Sequence, residues 1–567
     1  MSSSYVHGAS DIPLLGETIG EVLARIVERE PEHDALVIPY QQVRWSYAEL
    51  ARRVTDVAAG LVALGLEPGE RIGVCSPNNA EWVLLQLATA RAGLILVNLN
   101  PGYRRADLAF ALNAVGCSTL VTAATLKTSD YIGMLYELAP ELARCEPGDL
   151  HARQIPSLRW VIRLGEEQSA GMLNFGALAG LAQPEHQQRL SALETELQFD
   201  DPVNIQFTSG TTGKPKAATL THHNIVNNAY FVGLQMDLSA ADRMCIPVPM
   251  YHCFGMVLGT LCCIAHGATM VFASPSFDPQ AVLRTVEAET CTVLHGVPTM
   301  FIAELDDERF GDFDLSSLRT GIMAGAPCPM ELMKHVIERM HLREITIAYG
   351  MTETGPVSFQ TRIDDPLPRR VGSVGRVLPH VEVKIVDQQG QVVPRGTQGE
   401  LLTRGYNVMR GYWNDAGRTA AAIDAAGWIA SGDLAKIDDQ GYCQIVGRSK
   451  DMLIRGGENI YPREIEEFLY RHPKVDTVEV IGVPDEKYGE EICAWIKLRS
   501  GEQASAAEIR EFCRGKIAHF KIPRYVKFVD SFPMTVTGKV QKYIMRERMS
   551  EELADAQASS QGADTCG

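Results

Sequence analysis

No two of the thirteen cysteines in this chain of 567 residues form a C-x-x-C pair, and none falls at metal-finger spacing. That removes zinc ribbons and dithiol redox motifs, and leaves reduced, buried thiols in a reducing compartment. Positive charge is short too: 53 Lys and Arg stand against 70 Asp and Glu, a net charge of −17. A general nucleic-acid or anionic-membrane surface needs a basic face, which this balance argues against; a local basic site stays open. The opening stretch MSSSYVHGASDIPLLGE has no basic region ahead of an apolar run and no Arg, so neither a signal nor a transit peptide is expected. The ending Thr565-Cys566-Gly567 is not a peroxisomal address, and the expected location is the cytoplasm. There is no G-x-S-x-G elbow to supply a serine nucleophile. Residues 246 to 277 lack charged side chains altogether. Glycines, prolines, His252 and His266 interrupt that stretch, so it reads as a buried helix followed by a strand over 268–273, not as a transmembrane segment.

What is present is ordinary globular material, 46% hydrophobic and 22% charged, and long enough for two or more domains. Disorder is expected only in the first dozen residues and in the tail after about 553. Ser46-Tyr-Ala-Glu49 has the form of a capping box, opening a helix with Leu50, Val54, Val57, Leu61 and Leu64 on one face. A strand over 71–75, a helix over 80–91, a strand over 94–98, a helix over 104–115 and a strand over 118–122 follow. The alternation predicts an α/β fold with a largely parallel sheet, where ligands sit beyond the carboxyl ends of strands. After about residue 375 short strands at 381–386, 399–403 and 442–446 predict a β-rich subdomain. A helix over 463–470, strands over 475–483 and 492–498 and a helix over 506–517 then form a small α+β domain. The expected division is a large domain over 1–447, a hinge at 448–451 around Lys450, and a small mobile domain over 452–567.

The apolar strand 202–207 runs into TSGTTGKPK, residues 208 to 216, with four hydroxyls, two Gly and two Lys. Backbone N–H groups of a Gly-rich loop converge on an anion, and hydroxyls and Lys add charge-assisted bonds. The loop is not a Walker A motif, because Lys214 is followed by Pro215 and no Gly stands at the required spacing. Four further motifs follow in order: Tyr349-Gly-Met-Thr-Glu-Thr354, Trp428-Ile-Ala-Ser-Gly-Asp433, Gly447-Arg-Ser-Lys-Asp451 and Thr537-Gly-Lys539.

Together these five motifs resemble the adenylate-forming superfamily of acyl-CoA synthetases, peptide-synthetase adenylation domains and luciferases, from about Thr18 to Arg548. SYVHGASDIPLL, QLATARAGLILVNLNPGYR and DPVNIQFTSGTTGKPKAATLTHHNIVNN are similar to the medium-chain acyl-CoA ligases of acyl-CoA synthetase family member 2. The resemblance implies that a carboxylate attacks the α-phosphorus of ATP and expels pyrophosphate, and that the thiol of CoA then displaces AMP. It implies that Thr208, Ser209, Gly210, Thr211, Thr212, Gly213 and Lys214 embrace the β- and γ-phosphates. Glu353, with Thr208, is the implied Mg²⁺ site, and Thr352 the group at the α-phosphate. Tyr349 and Gly350 on one face of adenine, and Gly325 with Ala326 on the other, are the implied base pocket. Asp433 suits the ribose hydroxyls, since a carboxylate accepts two hydrogen bonds at once, with Arg448 beside it. Lys539 is the implied catalytic cation, withdrawn by rotation about Lys450 so that Gly456 and Gly457 meet CoA. His252 is the implied gate between nucleotide and acyl sites. Residues 297–301 with His295 and Gly296 are expected along the acyl tunnel. One departure is visible: members commonly have Gly after KPK, and Ala217 stands here.

Three alternatives share these motifs: an acyl-AMP ligase that loads a carrier protein, an aryl-CoA ligase, and a nucleotide-binding scaffold without chemistry. Retention of Lys539, Glu353 and Asp433 together argues against the scaffold. A homodimer is expected by analogy alone.

Overall fold

The computed structural model describes the chain except residues 1, 209–214, 456–457, 486, 536–539 and 565–567, and describes 449, 459 and 554–564 by backbone only. Two large sheets carry most of the structure. In the first, Trp160–Arg163, Thr119–Thr122, Arg71–Cys75, Ile95–Asn98 and Pro202–Thr208 lie side by side and parallel. Lys216–Thr221 then returns antiparallel against Pro202–Thr208. The second sheet runs parallel from Asp34–Ile38 through Thr269–Val271, Arg243–Cys245, Val293–Leu294 and Thr320–Met323 to Glu344–Gly350. Helices pack on both, as parallel sheets buried on both faces require.

The helix expected after Ser46 spans Tyr47–Ala63, and Leu50, Val54, Val57 and Leu61 are buried along it. Its capping box is only half formed. The Ser46 hydroxyl accepts the Glu49 N–H, but the Glu49 carboxylate turns to Arg52 and Arg53, whose charges outcompete a backbone amide. The helix Ala80–Arg91 has the expected bounds, and the expected strands at 94–98 and 118–122 begin one residue later, at Ile95 and Thr119. The uncharged stretch forms a π-helix, Phe254–Leu261, an α-turn, Cys262–His266, and the strand Thr269–Val271. Among the described residues no helix is long and apolar enough to cross a membrane.

The β-rich subdomain is a five-stranded antiparallel sheet, Tyr5–His7, Val381–Val386, Gly399–Gly405, Ile429–Ile437 and Cys443–Arg448. Its first strand corrects the expectation of a disordered start. Tyr5 pairs with Lys384, and the fully buried Ser4 donates its N–H to Val393, so local polarity was outweighed by an open sheet edge. The last sheet pairs Val475–Asp485 with Gly489–Leu498, flanked by Leu453–Arg455 and Tyr525–Phe528. The terminal helix runs Lys542–Asp564. Buried apolar residues form one large cluster ending at Cys443 and two smaller ones, beginning at Leu453 and at Ile481.

Candidate active site

The carboxyl ends of the two large sheets meet. Pro202–Thr208 delivers Thr208 at its last position, and Glu344–Gly350 leads into a short 3₁₀ turn, Thr352–Thr354, that carries Glu353. Thr208 Oγ1 donates to Glu353 Oε1 at 3.1 Å, although 145 residues separate them. Tyr412 from the outermost strand of the first sheet donates its hydroxyl to the same oxygen at 3.0 Å. The Lys216 ammonium lies 3.4 Å from that hydroxyl and 4.9 Å from the ring centroid. Burial, then the Glu353 charge, keeps the Tyr412 hydroxyl protonated by raising its pKa. Glu353 is pinned at its backbone by the Met409 N–H, 2.9 Å from its carbonyl.

Thr352 is buried next to His252. Cys253 Sγ lies 3.7 Å from Thr352 Oγ1 and 3.6 Å from His252 Nδ1, and that nitrogen accepts the Phe254 N–H at 3.2 Å. Burial pushes the Cys253 thiol up to about 12, so it stays a neutral bridge.

A second cluster surrounds Asp433. Register pairs Asp433 with Arg448 on the neighbouring strand, and Arg448 Nε donates to Asp433 Oδ1 at 3.0 Å. Tyr349 donates its hydroxyl to the other carboxylate oxygen. Both carboxylate oxygens therefore have fixed donors, each with a lone pair to spare. Tyr349 is thus tied to the expected ribose-holding residue; burial, then Asp433, raises its pKa well above the ordinary value. Gly325 adopts φ of 86°, a left-handed conformation, in the turn beyond Thr320–Met323, with Ala326 next to it.

Ser209, Gly210, Thr211, Thr212, Gly213 and Lys214 lie outside the described residues, as do Gly456, Gly457 and Lys539. Ala217 sits in the extended strand Lys216–Thr221 with no positive φ, so a missing glycine costs that loop nothing. His295 corrects the expected tunnel lining. It is fully buried, takes the Ile322 N–H on Nδ1 at 3.2 Å and lies 3.0 Å from the Leu258 carbonyl through Nε2. Burial lowers its pKa to about 4, and it is a neutral core brace. The residue that sequence reasoning missed is Tyr412. Nothing in Gly411-Tyr-Trp-Asn414 marks a partner for a carboxylate 59 residues earlier.

The profile of the AMP-binding enzyme family matches residues 23–413, and that of the AMP-binding enzyme C-terminal domain matches 464–539. The chain belongs to the AMP-binding enzyme family. It is an enzyme, a ligase of the acyl-CoA synthetase type. A putative acyl-CoA synthetase, YngI of Bacillus subtilis (strain 168), is 49% identical over 95% of this chain and 98% of its own. The mitochondrial medium-chain acyl-CoA ligase ACSF2 of Danio rerio is 46% identical over 98% of this chain and 92% of its own. Among solved structures, the anthranilate CoA ligase AuaEII with anthranoyl-AMP superposes with a TM-score of 0.84 at 26% identity, covering 96% of this chain and 99% of that one. ATP-bound MatB from Rhodopseudomonas palustris gives 0.80 at 29%, covering 94% and 99%.

In this AMP-binding enzyme, the Thr208 hydroxyl and Glu353 carboxylate form a hard oxygen pair at the mouth of the Gly-rich loop. Such a pair fits Mg²⁺, which keeps several waters and takes one or two protein oxygens. Among the described residues no group of three or more His, Cys, Asp or Glu could hold a metal ion.

Proposed function

We propose that this enzyme joins a medium-chain fatty acid to CoA in two steps at one site. In the first, a carboxylate oxygen attacks the α-phosphorus of ATP, the bond to the β-phosphate oxygen breaks, and pyrophosphate leaves. In the second, the CoA thiol loses its proton, sulfur attacks the acyl carbon of the adenylate, and AMP departs. The protein supplies position and charge, not a nucleophile. Residues 208–214 hold the β- and γ-phosphates. Thr208 and Glu353 hold Mg²⁺, which when bound neutralises phosphate charge. Thr352 touches the α-phosphate, and Asp433 with Arg448 takes the ribose. Tyr349, Gly350, Gly325 and Ala326 enclose adenine. Lys539 bridges the substrate carboxylate and the α-phosphate. Gly456 and Gly457 receive CoA after the C-terminal unit turns about Lys450, and His252 gates the acyl pocket.

The observation that carries this reading is the convergence of Thr208 and Glu353 at 3.1 Å, from two different sheets, where a Gly-rich loop leaves its strand. Medium chain length rests on the relatives named for it. An aromatic acid is the second reading, favoured by the likeness to an anthranilate CoA ligase.

AMP and thioester formation measured from acetate to palmitate, with benzoate and coumarate, separates these readings. A maximum at about six to twelve carbons is expected, since each buried CH₂ adds about 0.8 kcal/mol until the pocket ends. Preference for benzoate would transfer the assignment to aryl acids, and pyrophosphate without thioester would transfer it to a carrier-dependent ligase. Lys539→Ala removes adenylation and leaves ATP binding nearly intact; undiminished pyrophosphate release would overturn the role given to Lys539.

A further inference from the structure

We propose that Lys542, Glu466 and Glu479 form a partly buried positioning device that seats the base of the segment carrying Lys539. The proposal rests on the role given to Lys539 above. Lys542 stands three residues after it and opens the terminal helix Lys542–Asp564. Its ammonium reaches two carboxylates and a carbonyl: Glu466 Oε1 at 2.5 Å, Glu479 Oε2 at 3.0 Å and the Val480 carbonyl at 3.2 Å. Glu466 also accepts the Val480 N–H at 2.8 Å, so it is fixed from both sides.

The surroundings point to anchoring. Residues 533–534 and 540–541 form a closed neck, where Met534 bridges antiparallel to Val540 and the Gln541 N–H donates to the Pro533 carbonyl at 2.8 Å. Lys542 is the next residue, so the neck is bolted to the domain interior through one side chain. Glu466 lies nine residues beyond Gly457, on the helix Pro462–Leu469, and Glu479 lies on the strand Val475–Asp485. The triad thus joins the stems of both functional segments.

Two carboxylates facing one ammonium concentrate charge at a largely covered spot, with Glu466 buried and Lys542 and Glu479 partly so. Burial alone would push Lys542 towards neutrality, yet Glu466 and Glu479 hold its pKa above the ordinary lysine value. Burial raises Glu479 up to about 7, with Lys542 opposing and Glu466 and the hinge residue Asp451 adding to the rise. Tyr470, with its own pKa raised by burial and by these acids, packs nearby. A core needing only volume would take apolar residues here, since buried ion networks contribute little net stability. Directional bonds from one ammonium to three oxygens serve placement instead.

Three variants and both half-reactions test this. In Lys542→Met, acid-dependent exchange of pyrophosphate into ATP falls by about tenfold or more in kcat, with KM for ATP within about threefold. Thioester formation from supplied acyl-adenylate changes less than about threefold. Lys542→Arg recovers exchange to within about threefold of wild type, because a guanidinium spans two carboxylates. The triple variant Lys542→Met, Glu466→Gln, Glu479→Gln leaves no unpaired charge; Met545 and Met549 still pack the helix on Ile481 and Trp495. It folds and shows the same selective loss. Wild-type exchange in the triple variant, equal loss in both half-reactions, or no recovery with Arg would overturn the proposal. Lys539→Ala run alongside separates the two readings. If it exchanges at the wild-type rate the Lys539 assignment fails, and if it is inactive while the Lys542 variants are normal only the positioning role fails.

Discussion

Glu304 is a carboxyl group with no place for a charge. It is 1% exposed on the helix Pro298–Leu305, neither oxygen has a hydrogen-bond partner, and burial raises its pKa well above the ordinary value. The folded state therefore keeps a proton that the unfolded chain releases near pH 4.3. Stability from this residue is complete below that value and is lost as pH rises, since the folded state binds more protons. Glu304→Gln should flatten the pH dependence of the thermal midpoint between pH 5 and 8, with the variant's advantage growing towards pH 8. An advantage that is constant or shrinks with pH would count against a protonated Glu304. His222 and His295 act on the acid side. Burial lowers both to about 4, so their contribution is present above the unfolded histidine value and lost as pH falls towards about 4. None of this was legible in the sequence, where nothing singles out Glu304 and His295 reads as tunnel lining.

At the scale of elements, the strand-to-turn unit that ends in Glu353 depends on one glycine. A Cβ on Gly350 would stand 1.9 Å from the Pro356 carbonyl oxygen, because the chain doubles back there and Gly350 pairs with Val357. Gly350→Ala should open that hairpin and shift Tyr349 and Glu353 together, with adenylation down by about 10²-fold, the loss expected of roughly 1 Å misplacement. Unchanged far-ultraviolet circular dichroism with this loss would place the damage locally, and wild-type activity would contradict it. The same hairpin is braced by Asn228, which exchanges two bonds with Val357 at 2.8 and 3.0 Å. Asn224 reaches the Val408 carbonyl at 3.0 Å and Asn227 the Leu15 carbonyl at 2.9 Å. The polar run His222-His-Asn-Ile-Val-Asn-Asn228 was readable as a motif; its asparagines prove to be ties to three distant segments.

Across the whole molecule, the buried clusters break between Cys443 and Leu453, and the link is the 3₁₀ turn Ser449–Asp451. If the small unit turns about this link to exchange Lys539 for the CoA-facing segment, restricting φ there should affect the second half-reaction first. Lys450→Pro should slow thioester formation by about tenfold or more relative to adenylate formation, measured by single turnover. Equal slowing of both steps would argue for a fixed arrangement.

Periodicity and turn chemistry in the sequence were enough to determine the alternating elements, most of their bounds, the uncharged stretch as core, and the order of the motifs. Those are local properties, set by side-chain spacing along a helix or strand. Tertiary structure alone decided that Tyr5–His7 adds an edge strand to Val381–Val386, that Tyr412 and Thr208 share one oxygen of Glu353, and that Lys542 sits between two acids. Such contacts form between segments far apart in the chain. They depend on which surfaces are left to be covered and which polar groups need partners after the sheets have packed, and no window of sequence contains that information.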